Sequence, residues 1–142
     1  MGDRTIPVLP EDIRAALVGN FNYGILSAYR DEYSAAENIQ RTKDLVYALQ
    51  CAEYACVVGE GVWEGKKEEC VFLPDIARRD LVDFADACDQ DAVIYKGDLF
   101  SHSGATYKRT AEGKRVQFFD NAADVPDGNY TNVGGVIFAL YF

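Results

Sequence analysis

Glu69 sits in KKEECVFLP, residues 66–74, and its neighbours make it conspicuous. Strand side chains alternate between two faces, so Glu69 shares a face with Val71 and Leu73. Glu68 has the opposite parity, at the strand's mouth, and is expected to be exposed. A carboxylate on an apolar face is a strand-edge residue in water, one half of an ion pair across a subunit interface, or a functional group. His102 is the only histidine, so Ser-His-Asp chemistry would have to run through that residue, flanked by Ser101 and Ser103. Cys51, Cys56, Cys70 and Cys88 lack CxxC spacing, and three of them lie in apolar surroundings. They read as buried free thiols, and one histidine among scattered cysteines argues against zinc. The sequence offers no triad, metal cluster or phosphate loop.

The chain that must position these groups has 142 residues, enough for one domain with a proper core. Hydrophobic residues make up 49% and charged ones 26%, a soluble globular profile. No apolar run reaches the length of a membrane span, and MGDRTIPVLPED is acidic and broken by proline, unlike a signal peptide. The expectation is a cytoplasmic protein. A net charge of −9, with no basic stripe to offset it, disfavours nucleic acid and anionic lipid as partners.

Residues 1–22 read as an N-terminal arm, with a short helix from Pro10 through Val18 stopped by Gly19-Asn20. Residues 23–142 read as a single domain. Residues 23–30, YGILSAYR, predict a strand. Ser34 and Glu37 form a capping box for a helix to about Gln50, with Ile39, Leu45, Val46 and Leu49 as its stripe. Residues 53–61 and 68–73 predict two strands around the turn at Trp63-Glu64-Gly65. Asp75 is a natural N-cap for a helix carrying Leu81, Phe84, Ala85 and Cys88. Residues 91–96 predict a fourth strand. This order is the α+β ferredoxin-like βαββαβ sandwich, with helices on one face. A C-terminal β extension follows: a hairpin of 105–110 with 117–119, then a strand over 135–142. Over residues 23–29 of strand one and 54–59 of strand two neither parity set is charged, so the sheet is expected to be covered on both faces although two helices cover only one. A partner subunit is expected to cover part of the remainder.

YGILSAYR, Asn38-Ile39-Gln40-Arg41, the Gly-Trp-Gly turn leading to Glu69, QDAVIYKG and the Gly-rich approach to the last strand together resemble the phage S-adenosylmethionine-degrading enzymes, or SAM lyases. The likeness spans roughly residues 23–138 and is greatest to the environmental-phage members. It implies a fold similar to the trimeric PII signalling proteins, with sites between subunits of a homotrimer. It also implies cleavage of S-adenosylmethionine (SAM) to 5′-methylthioadenosine and homoserine lactone in the host cytoplasm, blunting restriction-modification, without cofactor or metal. The substrate's own carboxylate displaces the thioether, so a carboxylate that grips the α-ammonium orients the chain, and Glu69 is the candidate. Ser27 and Tyr29, at the exit of strand one, contact ligand or pack an interface. Asn38 and Arg41 lie on the first long helix, where Arg41 either holds the substrate carboxylate or pairs with Glu37 or Asp44. Tyr54 and Trp63 offer faces for adenine. Gln90 precedes strand four, His102 is expected in a loop, and Tyr107 belongs to core or site. The competing class is a PII-like binding protein that senses a nucleotide or SAM without consuming it.

Overall fold

The computed structural model describes residues 8–19, 21–103 and 106–142. Helix α1 (Pro10–Gly19) opens with proline at its first position, where the missing N–H costs nothing. Asn20, expected to help end it, lies outside the described residues, as do residues 1–7. The chain continues as β1 (Gly24–Leu26), α2 (Ala35–Cys51), β2 (Val57–Trp63), β3 (Lys66–Leu73), α3 (Arg78–Ala87) and β4 (Ala92–Tyr95). Then come β5 (Asp98–Ser103), β6 (Thr106–Ala111), β7 (Arg115–Phe119), a 3₁₀ turn (Ala122–Asp124), β8 (Tyr130–Val133) and β9 (Val136–Tyr141). The result is an α+β protein with one nine-stranded antiparallel sheet, ordered β6-β5-β4-β1-β3-β2-β8-β9-β7.

Local chemistry explains where the elements depart from the sequence expectation. β1 is three residues long because the Ser27 hydroxyl donates to the Glu69 carbonyl at 2.7 Å and accepts from the Tyr29 amide at 3.1 Å, replacing the ladder. α2 begins with the expected Ser34–Glu37 capping box. It ends in a Schellman motif, with Glu53 at φ 64° and amides of Glu53 and Tyr54 bonded to Gln50 and Leu49 carbonyls. Residues 53–56 are thereby used in stopping a helix, and β2 starts only at Val57. α3 ends the same way, with Asp89 at φ 55° and amides of Asp89 and Gln90 reaching Asp86 and Ala85. Its N-cap is Ala77, without a side-chain bond, so Asp75 is not the cap. Glu64 and Gly65, at φ 50° and 80°, make the two-residue turn that fixes the β2–β3 register from Trp63↔Lys66 to Val57↔Phe72.

The expected C-terminal hairpin does not form. β6 pairs with β5, β7 pairs with β9, and they occupy opposite edges of the sheet; Ala105 lies outside the described residues. Yet only Glu112–Lys114 separates these edges in sequence. Nine flat strands would hold their edges roughly 38 Å apart at about 4.8 Å per strand, whereas the link from Ala111 to Arg115 spans at most about 14 Å. The sheet must therefore curl until its edges nearly meet. The seam is tight: the Gly113 amide donates to Asp98 Oδ1 at 2.8 Å, and a Cβ on Gly113 would lie 2.2 Å from the Gly97 carbonyl oxygen.

Curling gives the sheet two cores. Leu26, Val71, Leu73 and Val93 on one face pack beneath Leu45 and Leu49 of α2 and Leu81 and Ala85 of α3. Tyr23, Ile25, Phe72, Val133, Val136 and Phe138 on the other face enclose Ile13, Ala16 and Leu17 of α1. Ile13, Ala16 and Leu17, expected in an arm, are thus core residues, while the other side of α1 is exposed. The doubly apolar sheet has an internal cause too, since the chain's own helix and curled strands cover the second face. That face alone does not call for a partner subunit. No described helix is long and apolar enough to cross a membrane.

Candidate functional site

β3 carries Glu69 at the rim of the helix-covered face. Val71 and Leu73 on the same face are fully buried under the chain's own helices, not against another subunit. The β2–β3 register places Glu60 directly opposite Glu69. Like charges facing across a ladder repel. Glu69 Oε1 is nevertheless buried and has no hydrogen-bond partner, the only such side-chain atom among the described residues. A buried carboxylate oxygen without a donor is costly, so this position favours a cationic group that supplies one. Tyr29 stands beside it, its phenol pushed up first by burial and then by the fields of Glu69, Glu68 and Glu60. Glu60 was not a sequence candidate; its signal was the hairpin register, which becomes legible once the turn is set at Glu64-Gly65.

Most of the other predicted residues do gather here, but their polar atoms are engaged by the backbone. The loop from Ser27 to Tyr33 leaves β1 and is held by three side chains. Asn38 accepts from the Arg30 amide and donates to the Arg30 carbonyl, both at 3.0 Å. Arg41 donates to the carbonyls of Ala28 (2.7 Å) and Cys88 (2.6 Å), with its guanidinium 4.8 Å from the Tyr33 ring centre. Gln90 donates to the Tyr29 carbonyl at 3.2 Å. Arg41 therefore joins the ends of β1 and α3, and neither Glu37 nor Asp44 is its partner. The Tyr107 hydroxyl donates to the Gln90 carbonyl, and the His102 ring packs edge-on against Tyr107 at 5.0 Å. His102 lies in β5 rather than a loop and is exposed, and its one charged neighbour among the described residues is Asp86, 4.0 Å from Nε2. No serine hydroxyl is bonded to it among the described residues, so it forms no triad there.

The two aromatic candidates are apart. The Tyr54 hydroxyl donates to Asp80, which pushes its pKa up to about 12, and its ring meets Phe84 edge-on on the helix side. Trp63 is 64% exposed at the lip of a cavity on the opposite, concave face. They cannot hold one adenine between them. That cavity, of about 700 Å³, is lined by Ile25, Cys70, Ile94, Leu99 and Tyr130 together with Glu68. Glu68 is half-buried, not freely solvated as expected, and burial followed by the field of Asp31 raises its pKa. The thiol of Cys70 is pushed up to about 12 by burial, Cys56 and Cys88 are raised by the same cause, and Cys51 is exposed.

No family model matches this sequence, and no curated protein matches it either.

Proposed function

We propose that the chain is a SAM lyase whose substrate ammonium is gripped by Glu69. The observation that carries this reading is the unpartnered, buried Glu69 Oε1, facing Glu60 across the ladder beside Tyr29. An ammonium supplies both the missing donor and the positive charge that two opposed carboxylates lack. The strand order β4-β1-β3-β2, with α2 and α3 as crossovers on one face, supports the ferredoxin-like core that the reading requires. We extend the proposal to a homotrimer similar to the PII proteins, with the site closed by a neighbouring subunit against the exposed Val58 and the Glu60–Glu69 rim.

The chemistry asks little of the protein. The substrate carboxylate attacks its own γ-carbon, the C–S bond breaks, and the electron pair leaves with the neutral thioether, 5′-methylthioadenosine. The ring that closes is homoserine lactone, and neither water nor a protein nucleophile enters. Holding the methionine chain in this folded shape draws on effective molarities of roughly 10⁵–10⁸ M. Sulfonium and carboxylate charges fade together, so tight binding at sulfur would favour the ground state. The ammonium keeps its charge throughout, and gripping it does not oppose the reaction. Activity in the cytoplasm of a phage-infected host would remove the methyl donor on which restriction-modification depends.

The test is Glu69→Gln, assayed by release of 5′-methylthioadenosine from SAM. Turnover is expected to fall at least about tenfold with the fold retained, because a charge-assisted hydrogen bond is worth roughly 1.5–3 kcal/mol. Turnover near wild type would remove Glu69 from the mechanism. A binding protein without catalysis would instead return SAM intact from the wild-type chain.

A further inference from the structure

The sequence shows no basic stripe, but the fold assembles one. A second cavity, of about 650 Å³, lies where the β4–β5 turn, the start of α3 and the link between β6 and β7 converge. Five of the chain's 14 lysines and arginines line it: Arg78, Lys96, Arg109, Lys114 and Arg115, against two acids, Asp98 and Glu112. The chain as a whole carries −9, so this is a local reversal of its field. The five are widely scattered in sequence, and only curling of the sheet brings Lys114 and Arg115 to the turn that carries Lys96.

The two acids offset the five cations only in part. Asp98 is committed twice, accepting from the Gly113 amide at 2.8 Å and pairing with Arg109 at 3.5 Å. Neither Lys96 nor Lys114 forms an ion pair with any described residue. Arg78 and Arg115 lie over the rings of Phe100 and Tyr141, at 5.6 and 4.0 Å from the ring centres, and although Arg115 Nη1 donates to Gln117 Oε1 at 3.0 Å, each guanidinium keeps further N–H groups to donate. Arg78 is also the first residue of α3, whose N-cap offers no side-chain acceptor, and the acid of that first turn, Asp80, accepts from the Tyr54 hydroxyl. The Lys96-Gly97 turn is locked by φ of 52° and 85° and by the Lys96 amide donating to the Tyr23 carbonyl at 3.0 Å. The seam at Gly113 fixes the opposite wall, which leaves the cavity preformed.

We propose that this cavity is a binding site for a compact, phosphate-bearing polyanion. Its volume falls within the roughly 300–1,000 Å³ of small-ligand pockets, and three or more converging cations match a ligand with several negative charges. An extended polyanion such as nucleic acid is repelled by the acidic remainder of the surface, whereas a small one enters without meeting it. The site is distinct from the Glu60–Glu69 rim: none of its lining residues belongs to β2 or β3.

Calorimetric titration of the full chain with inorganic triphosphate tests the proposal, with citrate at matched ionic strength as the carboxylate control. Saturable binding of one triphosphate per chain below about 1 mM is expected, with citrate at least about tenfold weaker. Lys96→Glu and Lys114→Glu should each weaken it at least about tenfold, while Lys43→Glu, on the exposed side of α2, should leave it unchanged. Circular dichroism of each variant checks that the fold is kept, and Lys114→Ala replaces any charge-reversal variant that fails to fold. Absence of saturable binding at 10 mM (about ten times the expected limit), equal binding of citrate, or equal weakening by Lys43→Glu would each overturn the proposal.

Discussion

Glu69 and Glu68 are adjacent and equally charged, yet the strand's alternation sends them to opposite faces with opposite consequences. Glu69 points to a rim where a buried oxygen lacks a donor. Glu68 faces the concave cavity, and its raised pKa is a stability statement of known sign. The folded state disfavours its charged form, so its contribution is most favourable at and below the ordinary carboxylate range near about 4.3. Stability is then lost as pH rises through the higher folded value. Glu68→Gln should therefore raise the thermal midpoint at pH 7.5, and the gain should vanish near pH 4; an equal gain at both pH values would contradict burial as its cause. The cysteines give a second check at this scale. A thiol reagent should label exposed Cys51 first and leave Cys70 untouched until the chain unfolds. Alternation made Glu69 legible in the sequence, but what covers Val71 and Leu73 was not, because that depends on where α2 and α3 dock.

The elements were legible where a local signal stands in the sequence, and misread where one residue type performs another's task. The Ser34–Glu37 capping box is such a signal, and Ser34→Ala should cost about 1 kcal/mol in chemical denaturation. Both Schellman stops place an acidic residue, Glu53 or Asp89, where glycine is usual, so the stop itself does not show in the sequence, although the apolar stripe put the end of α2 at about Gln50, next to the observed Cys51. The end of β1 was hidden likewise, because a serine hydroxyl took the place of a ladder partner. Asn38 and Arg41, read as helix residues that could contact ligand, and Gln90, read as preceding strand four, have their polar atoms bonded to the backbone of the loop that leaves β1. Two glycines separate close packing from idle flexibility. A Cβ on Gly59 would sit 2.5 Å from the Asn132 carbonyl oxygen and 2.6 Å from Val133 Cγ2, within the β2–β8 seam. On Gly24 it would meet only the terminal methyls of Leu81 and Ile76, at 2.7 to 3.2 Å. Gly59→Ala should therefore cost about 3 kcal/mol or prevent folding, and Gly24→Ala distinctly less, since overpacking typically costs about 1–3 kcal/mol and side-chain ends can yield. Equal losses would mean that the β2–β8 seam is not rigid.

At the scale of the molecule, the curl was beyond the reach of sequence reasoning. The order of the first four strands follows from hairpin and crossover rules, but the positions of β7, β8 and β9 rest on pairings distant in sequence. That curl seats α1 in the second core and gathers a basic cavity in an acidic chain. It also changes the case for assembly: the apolar sheet is satisfied internally, and the proposed trimer rests instead on the exposed rim around Val58, Glu60 and Glu69. Light scattering at micromolar concentration should give three times the 15.8 kDa chain mass, and a strict monomer would remove the neighbouring subunit from the site. The central claim is the reaction itself, and it is tested most directly by following the products of SAM at early times in isotopically labelled water. The account predicts 5′-methylthioadenosine together with homoserine lactone that carries no solvent oxygen; SAM returned intact, or labelled homoserine formed before any lactone, would contradict it.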